Sequence, residues 1–341
     1  MRVLSTVPRF PLAQLPTPLQ EARNLRAALG GSGRSPRILI KRDDLTGLAL
    51  GGNKVRKLEF LVADALAQGA TVLVTAGAAQ SNHARATAAA ARVAGMRAVL
   101  ILDEPLVDGP PQGNLLLDQL LGAEVRHVPG GTELNAAVET VAAELTAAGE
   151  RAYAIPVGGS NAVGLLGYVE MCGELAGQLA AARERPTRLY YANGSRGTQA
   201  GIVLGARLVG ATYRPIGVLV SPDAPEKVER SVRIASEAAS RLGVDVRLTE
   251  GDMVNLDGYV GAGYAAPTDA CDEAILLLAR TEAILLDPVY SGKAMAALLD
   301  AVRTGEVGPD ETVVFLHTGG APALFAHGER LAAIATRTDG A

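Results

Sequence analysis

A chain of 341 residues is too long for one small core and suits two domains of about 150 residues each around a shared cleft. Hydrophobic residues at 48% and charged residues at 20% are ordinary globular proportions, which exclude a disordered chain and give no sign of a membrane protein. A net charge of -4 argues against a nucleic-acid-binding surface.

The N-terminal stretch MRVLSTVPRFPLAQLPTP carries prolines where a secretory signal needs its apolar core, so neither export nor a membrane span is expected. Only Cys172 and Cys271 are present, without CxxC spacing; no disulfide framework or thiolate metal site is implied, and a reducing cytoplasm fits. At 47–60, GLALGGNKVRKLEF sets a glycine pair, an amide and a lysine before Val55, Leu58, Leu61, Val62, Ala65 and Leu66, which recur at helical spacing up to a stop at Gly69. Lys54 is therefore expected at a helix N-terminus. Glycines let backbone approach a ligand, and the helix end offers N–H groups and partial positive charge to an anion. That field also pushes a nearby lysine toward its neutral, nucleophilic form. The alternative is a solvated lysine at a helix start. A nucleotide-hydrolase phosphate loop is ruled out because Val55 stands where Ser or Thr must follow the lysine.

Strand TVLVTAG leads into GAAQSNHARA, which puts Gln80, Ser81, Asn82 and His83 at the carboxyl edge of a sheet, where open α/β folds bind ligands. Ser81 and Asn82 read equally as helix caps. A serine hydrolase is disfavoured, since Ser81 and His83 are sequence neighbours and there is no G-x-S-x-G elbow. His83, His127, His317 and His327 show no metal spacing, and the last three are expected to be hydrogen-bonded or exposed. Further strand–helix pairs follow: RAVLILD before NLLLDQLLG, RLYYANG before RGTQAGIVLGARLVG, and RPIGVLVSP before APEKVERSVRIASEAASRLG. This alternation predicts α/β architecture with parallel sheet. PPQG, VPGG and PVGGS mark loops, and short connections allow the chain to cross between domains twice.

The loop ANGSRGTQAG at 192–201 can cradle a phosphate with backbone N–H groups and the hydroxyls of Ser195 and Thr198, or be an ordinary glycine-bearing turn. It is not the dinucleotide GxGxxG. Arg196 within it reads either as a solvated loop charge or as a phosphate neighbour. Late in the chain, GAGYAAPT, DPVYSGKAMAAL and VVFLHTGGAPALF bring Tyr264, Tyr290 and Thr318 beside glycines or at strand ends. Phenols there either face a cleft or pack with satisfied hydroxyls.

Taken in order, GGNKVRKLE, QSNH, GSRGTQAG, GYAAP, DPVYSGKAMA and HTGGAPALF resemble the fold type II pyridoxal-phosphate (PLP) enzymes that group D-cysteine desulfhydrase with 1-aminocyclopropane-1-carboxylate (ACC) deaminase, over residues from about 12 to 326. The resemblance implies a tryptophan-synthase-β-like α/β fold: two open, twisted, mostly parallel sheets flanked by helices. Residues 1–53 with 165–341 would form the larger, PLP-binding domain and 54–164 the smaller, with the site between them. It implies Lys54 as the Schiff-base lysine, Lys57 near the cofactor phosphate, and Gly194, Ser195, Gly197 and Thr198 on that phosphate. Arg196 departs from the glycine common in the family. Gln80, Ser81 and Asn82 are implied for the substrate carboxylate and the cofactor ring hydroxyl, Tyr264 and Tyr290 for the reacting carbon, and Thr318 as a neutral partner of the ring nitrogen.

ACC deaminases resemble one another in a glutamate directly after the second tyrosine, where this chain has Ser291. Without that carboxylate, elimination of a good leaving group from a small amino acid is expected over ring opening. The resemblance thus implies a D-cysteine desulfhydrase-like carbon–sulfur lyase, with L-cysteate sulfo-lyase, ACC deaminase and a catalytically silent ligand-binding homologue as alternatives. Lys54 is the first candidate for the base and a tyrosine the second. A homodimer without nucleic-acid or membrane partners is the family expectation, and no metal is expected.

Overall fold

In the computed structural model, which describes residues 4–104 and 109–336, the chain forms two sheets. Strands β1 (Leu19–Glu21), β2 (Arg37–Arg42), β7 (Arg188–Asn193), β8 (Arg214–Leu219), β9 (Asn255–Leu256) and β10 (Thr312–His317) make one sheet, in the order β1-β2-β10-β7-β8-β9. Only β1 runs antiparallel to its neighbour. Strands β3 (Val72–Gly77), β4 (Arg97–Asp103), β5 (Glu124–Val128) and β6 (Ala152–Ala154) make the other, all parallel, in the order β5-β4-β3-β6.

The period-2 alternation of strand side chains explains why both faces of each sheet are covered. In β10, Val313 and Phe315 join Ile38 and Tyr190 beneath α9 (Asp269–Glu282) and α10 (Ser291–Arg303). Val314 and Leu316 face the other way with Leu39 and Tyr191, against α6 (Leu166–Ala182) and α7 (Gly197–Val209). The smaller sheet repeats the scheme. Leu73 and Leu100 pack on α2 (Lys54–Ala67) and the alanine-rich α3 (Asn82–Val93), while Val72, Val74, Val99 and Ile101 pack on α5 (Leu134–Ala147).

The chain passes from β2 through α2 into the smaller sheet, and returns from β6 through α6 to β7. Strand β7 has β10 on one side and its sequence successor β8 on the other, so the loops leaving β7 and β10 open on a switch point, where α/β sheets bind ligands. Among the described residues, no helix is long and apolar enough to cross a membrane.

Candidate active site

Lys54 is delivered to that crevice by an unusual turn. Residues Ala49, Leu50, Gly51 and Gly52 all have positive φ, at 42°, 70°, 66° and 108°. A side chain on Gly51 would put its Cβ 2.2 Å from the Asp44 carbonyl oxygen, so this glycine is required by space as well as by conformation. The turn is tied down from both sides. Arg85 of α3 donates from Nη1 to the carbonyls of Ala49 (2.7 Å) and Gly51 (3.0 Å), and the Asn53 N–H donates to the Thr318 carbonyl (2.9 Å). Lys54 then opens α2 as its first residue, and the helix ends at Ala67, two residues before Gly69 at φ 69°.

One cavity is lined by Asn53, Lys54, Asn82, Gly194, Ser195, Arg196, Thr198, Tyr290 and Thr318, together with Ala192, Asn193 and Gly319. Of the residues singled out in the sequence, Lys54, Asn82, Gly194, Ser195, Thr198, Tyr290 and Thr318 are therefore brought together. Gly197 adjoins them: its N–H donates to Ser160 Oγ (3.2 Å), which itself meets Ser195 Oγ at 2.9 Å. A Cβ on Gly197 would lie 2.6 Å from Ser160 Oγ. Asn53 fastens the loop to α2 by donating from Nδ2 to Thr198 Oγ1 (3.2 Å).

The remaining candidates stand beside the cavity. Tyr264 reaches it through Tyr290: the two hydroxyls share a short hydrogen bond, and the rings meet edge-on at 66° with centroids 6.0 Å apart. Lys57, fully buried one turn after Lys54, donates from Nζ to the Gly158 carbonyl (3.0 Å), and Gly158 packs directly on Ser195. Ser81 caps α3, its Oγ accepting from the Ala84 N–H at 3.1 Å. Its own O–H remains available as a donor. Gln80 Nε2 donates to the Gln112 carbonyl (3.0 Å) and Oε1 accepts from the Asn114 N–H (2.8 Å), at the start of α4 (Gly113–Leu120). Asn114 Nδ2 also donates to Asn82 Oδ1 (3.0 Å).

Electrostatics distinguish the candidates. Lys54 Nζ has one weak contact, with Asn53 Oδ1 at 3.3 Å, and its pKa is lowered to about 8. Burial is the largest cause, the Arg85 guanidinium adds to it, and the Asp287 carboxylate opposes it. The direction is the one expected for a neutral, nucleophilic lysine, with burial and a cation on another helix as its causes. Both phenols move the opposite way. Tyr290 is held well above the ordinary tyrosine value by burial and then by Tyr264, and Tyr264 is pushed up to about 12 by desolvation, although 43% of its surface is open.

His83 is buried, hydrogen-bonded from Nε2 to Thr75 Oγ1 (2.9 Å), and kept neutral by burial and the nearby Lys54 and Lys57. His127 is exposed, and His317 is held by the Leu285 carbonyl and the Gly319 N–H. Arg196 is not a solvated loop charge: it is 97% buried, being 3% exposed, with φ 70°.

Arg85, Asp287 and Ser160 escaped the sequence reading. Arg85 lies two residues after His83 and Asp287 three before Tyr290, but their partners are distant in sequence. Asp287 Oδ2 accepts from the N–H groups of Val289 (2.9 Å) and Tyr290 (2.8 Å), and Oδ1 from Ser291 N–H (2.8 Å) and Oγ (2.6 Å). Ser291, the first residue of α10, is thereby fully buried and is absent from the cavity lining.

A family model described as pyridoxal-phosphate dependent enzyme matches residues 11–319. D-cysteine desulfhydrase of Yersinia enterocolitica serotype O:8 / biotype 1B is 45% identical over 330 residues, covering 95% of this chain and 97% of the relative. That of Salmonella choleraesuis is 42% identical over 328 residues, with the same coverage. The crystal structure of an ACC deaminase homologue superposes with TM-score 0.88 at 38% identity, covering 98% of each chain. A PLP-dependent aspartate racemase shares the fold, with TM-score 0.64 at 16% identity over 89% of this chain and 90% of its own.

Proposed function

The chain belongs to the pyridoxal-phosphate dependent enzyme family, and from that premise we propose that it is a D-cysteine desulfhydrase, converting D-cysteine and water to pyruvate, sulfide and ammonia. The observation that carries the reading is Lys54: an amine with a lowered pKa, without an ion pair among the described residues, in one cavity with a glycine- and hydroxyl-rich helix N-terminus. The residues present fit PLP. Gly194, Ser195, Gly197 and Thr198 would hold its phosphate, with the first-turn N–H groups of α7, which have no acceptor within the helix, and Lys57 behind them. Asn82 would meet the ring hydroxyl and Thr318 the ring nitrogen. When bound, PLP supplies an electron sink that makes the substrate Cα–H acidic.

The chain's own groups divide the proton work by their acidities. Lys54 Nζ, partly neutral near neutral pH, takes the Cα proton. Tyr290 and Tyr264 keep their protons at that pH, so the pair acts as a donor, protonating the departing sulfur from Tyr290 Oη. Ser81 Oγ and the α3 N-terminus, with Gln80 and Asn82 alongside, hold the substrate carboxylate. Ser291 spends its hydroxyl on Asp287, which supports a neutral partner for the ring nitrogen and favours elimination over ring opening.

A panel of D- and L-cysteine, β-chloroalanine, L-cysteate and ACC, scored for 2-oxo acid, ammonia, sulfide and sulfite, tests this. D-Cysteine should give sulfide and pyruvate in equal amounts; faster release of 2-oxobutyrate from ACC would overturn the assignment. Lys54→Ala should abolish both turnover and the visible absorbance of lysine-bound PLP. The two sheets support domains comprising 54–164 and 1–53 with 165–341. A cytoplasmic homodimer is part of the same proposal.

A further inference from the structure

Arg196 is the most costly residue in the β7–α7 loop. Its φ of 70° and ψ of -21° lie in the left-handed region, where a Cβ crowds the following carbonyl and glycine serves without strain. Its guanidinium is buried, yet only Nη2 has a partner, the Asp223 carboxylate, while Nε and Nη1 have none. Buried donors without acceptors are expensive, and a charged group makes them more so. Asp223 lies at the surface and also accepts from the Ala224 N–H (2.8 Å), so it has a local duty of its own.

No structural need of the loop explains these two costs, since glycine would satisfy the backbone. Strain and unsatisfied polarity at a ligand cavity are instead the marks of a group waiting for its partner. The charges nearby show which kind. Lys57 Nζ donates to the Gly158 carbonyl and Arg230 Nη2 to the Ser160 carbonyl (3.0 Å each), so three basic side chains border the 158–160 and 194–198 loops, with burial disfavouring the charged form of Lys57. Asp223 pairs with Arg196, and the Glu133 carboxylate, on the exposed start of α5, acts on Arg230. The unpaired guanidinium nitrogens sit at the N-terminus of a 13-residue helix, a place that suits an anion.

On the reading of this cavity as the PLP site, we propose that Arg196 is a cofactor-binding residue that supplies buried positive charge to the PLP phosphate, with Asp223 holding the guanidinium in place. The role is specific to this chain's arginine and adds a guanidinium to the N–H and hydroxyl groups of the cradle.

The test compares full-length wild type, R196G and R196K, each stripped of cofactor and titrated with PLP and with pyridoxal, which lacks the phosphate. R196G should weaken PLP by about tenfold or more, the worth of a charge-assisted contact, and leave pyridoxal within about twofold. R196K, which keeps the charge, should retain most of the PLP affinity and also guards against misfolding of the glycine variant. Apo R196G should melt no lower than wild type, because strain and unpaired nitrogens go with the side chain. By phosphorus NMR, the bound phosphate should remain a dianion to lower pH in wild type than in R196G. PLP affinity within about twofold of wild type in R196G, or an equal loss for pyridoxal, overturns the proposal while leaving the site reading intact. Failure of wild type to bind PLP in a Lys54-dependent way overturns both.

Discussion

Lys54 has to lose its charge near neutral pH without losing its place, and two neighbours set how far it goes. Arg85 favours the neutral amine and Asp287 the ammonium, both on a background of burial. With a pKa of about 8, the amine fraction grows as pH rises toward that value. The rate at which apoprotein acquires the visible absorbance of lysine-bound PLP should therefore rise through about pH 8 and then level off. Asp287→Asn removes a charge that stabilises the ammonium, so the midpoint of that profile should move to lower pH; a move upward would contradict the assignment of causes. The tyrosines are tested separately. Tyr290→Phe should retain PLP absorbance but lose on the order of 10²-fold or more in turnover, as expected for removal of a general acid. Rates for β-chloroalanine, whose leaving group needs no proton, should fall less.

At the scale of elements, the turn before α2 and the helix α4 carry the strain behind the site. Gly51→Ala would force a Cβ against the Asp44 carbonyl at a positive φ, and should cost at least about 1–3 kcal/mol of stability together with PLP affinity. Asp118 on α4 is fully buried, and neither carboxylate oxygen has a hydrogen bond. Its pKa is raised to about 7, by desolvation first, against the opposing Arg85 charge. The folded chain thus keeps a proton that the unfolded chain releases near pH 4. Stability contributed by this group is present at low pH, declines between about 4 and 7, and stays lost above 7. Asp118→Asn should accordingly raise the melting temperature more at pH 8 than at pH 5. An equal change at both values would show that the carboxyl is not the titrating group.

Across the whole molecule, the two sheets meet through α2, and a buried polar cluster fixes that helix to the larger one. Arg56 donates from Nε and Nη2 to Asp43 (2.9 Å each) and from Nη1 and Nη2 to Glu174 (3.0 Å each). Thr17 and Lys41 complete it, joining the N-terminal segment and β2 to α6. Lys54, two residues before Arg56, is therefore referenced to the larger sheet, while α3 and its Arg85 approach from the smaller. Arg56→Met strips two carboxylates of their buried partner and should cost about 3–5 kcal/mol in urea unfolding.

The sequence by itself determined what is local. Strand–helix alternation, the helix opening at Lys54, the hydroxyl-rich loop after β7 and the spacing of six motifs were legible because periodicity, caps and turn glycines act over a few residues. What the folded chain decided is which charges meet. Lys54 and Arg85 come from different helices, Asp287 lies more than two hundred residues beyond either, and Asp118 and Arg196 look like ordinary surface charges until packing buries them. Burial and Coulomb interactions depend on distance through space, and one sequence read alone carries little of that information. Lys54 and Lys57 make the point together: one turn apart in a single motif, one opens on the cavity and the other is sealed against Gly158.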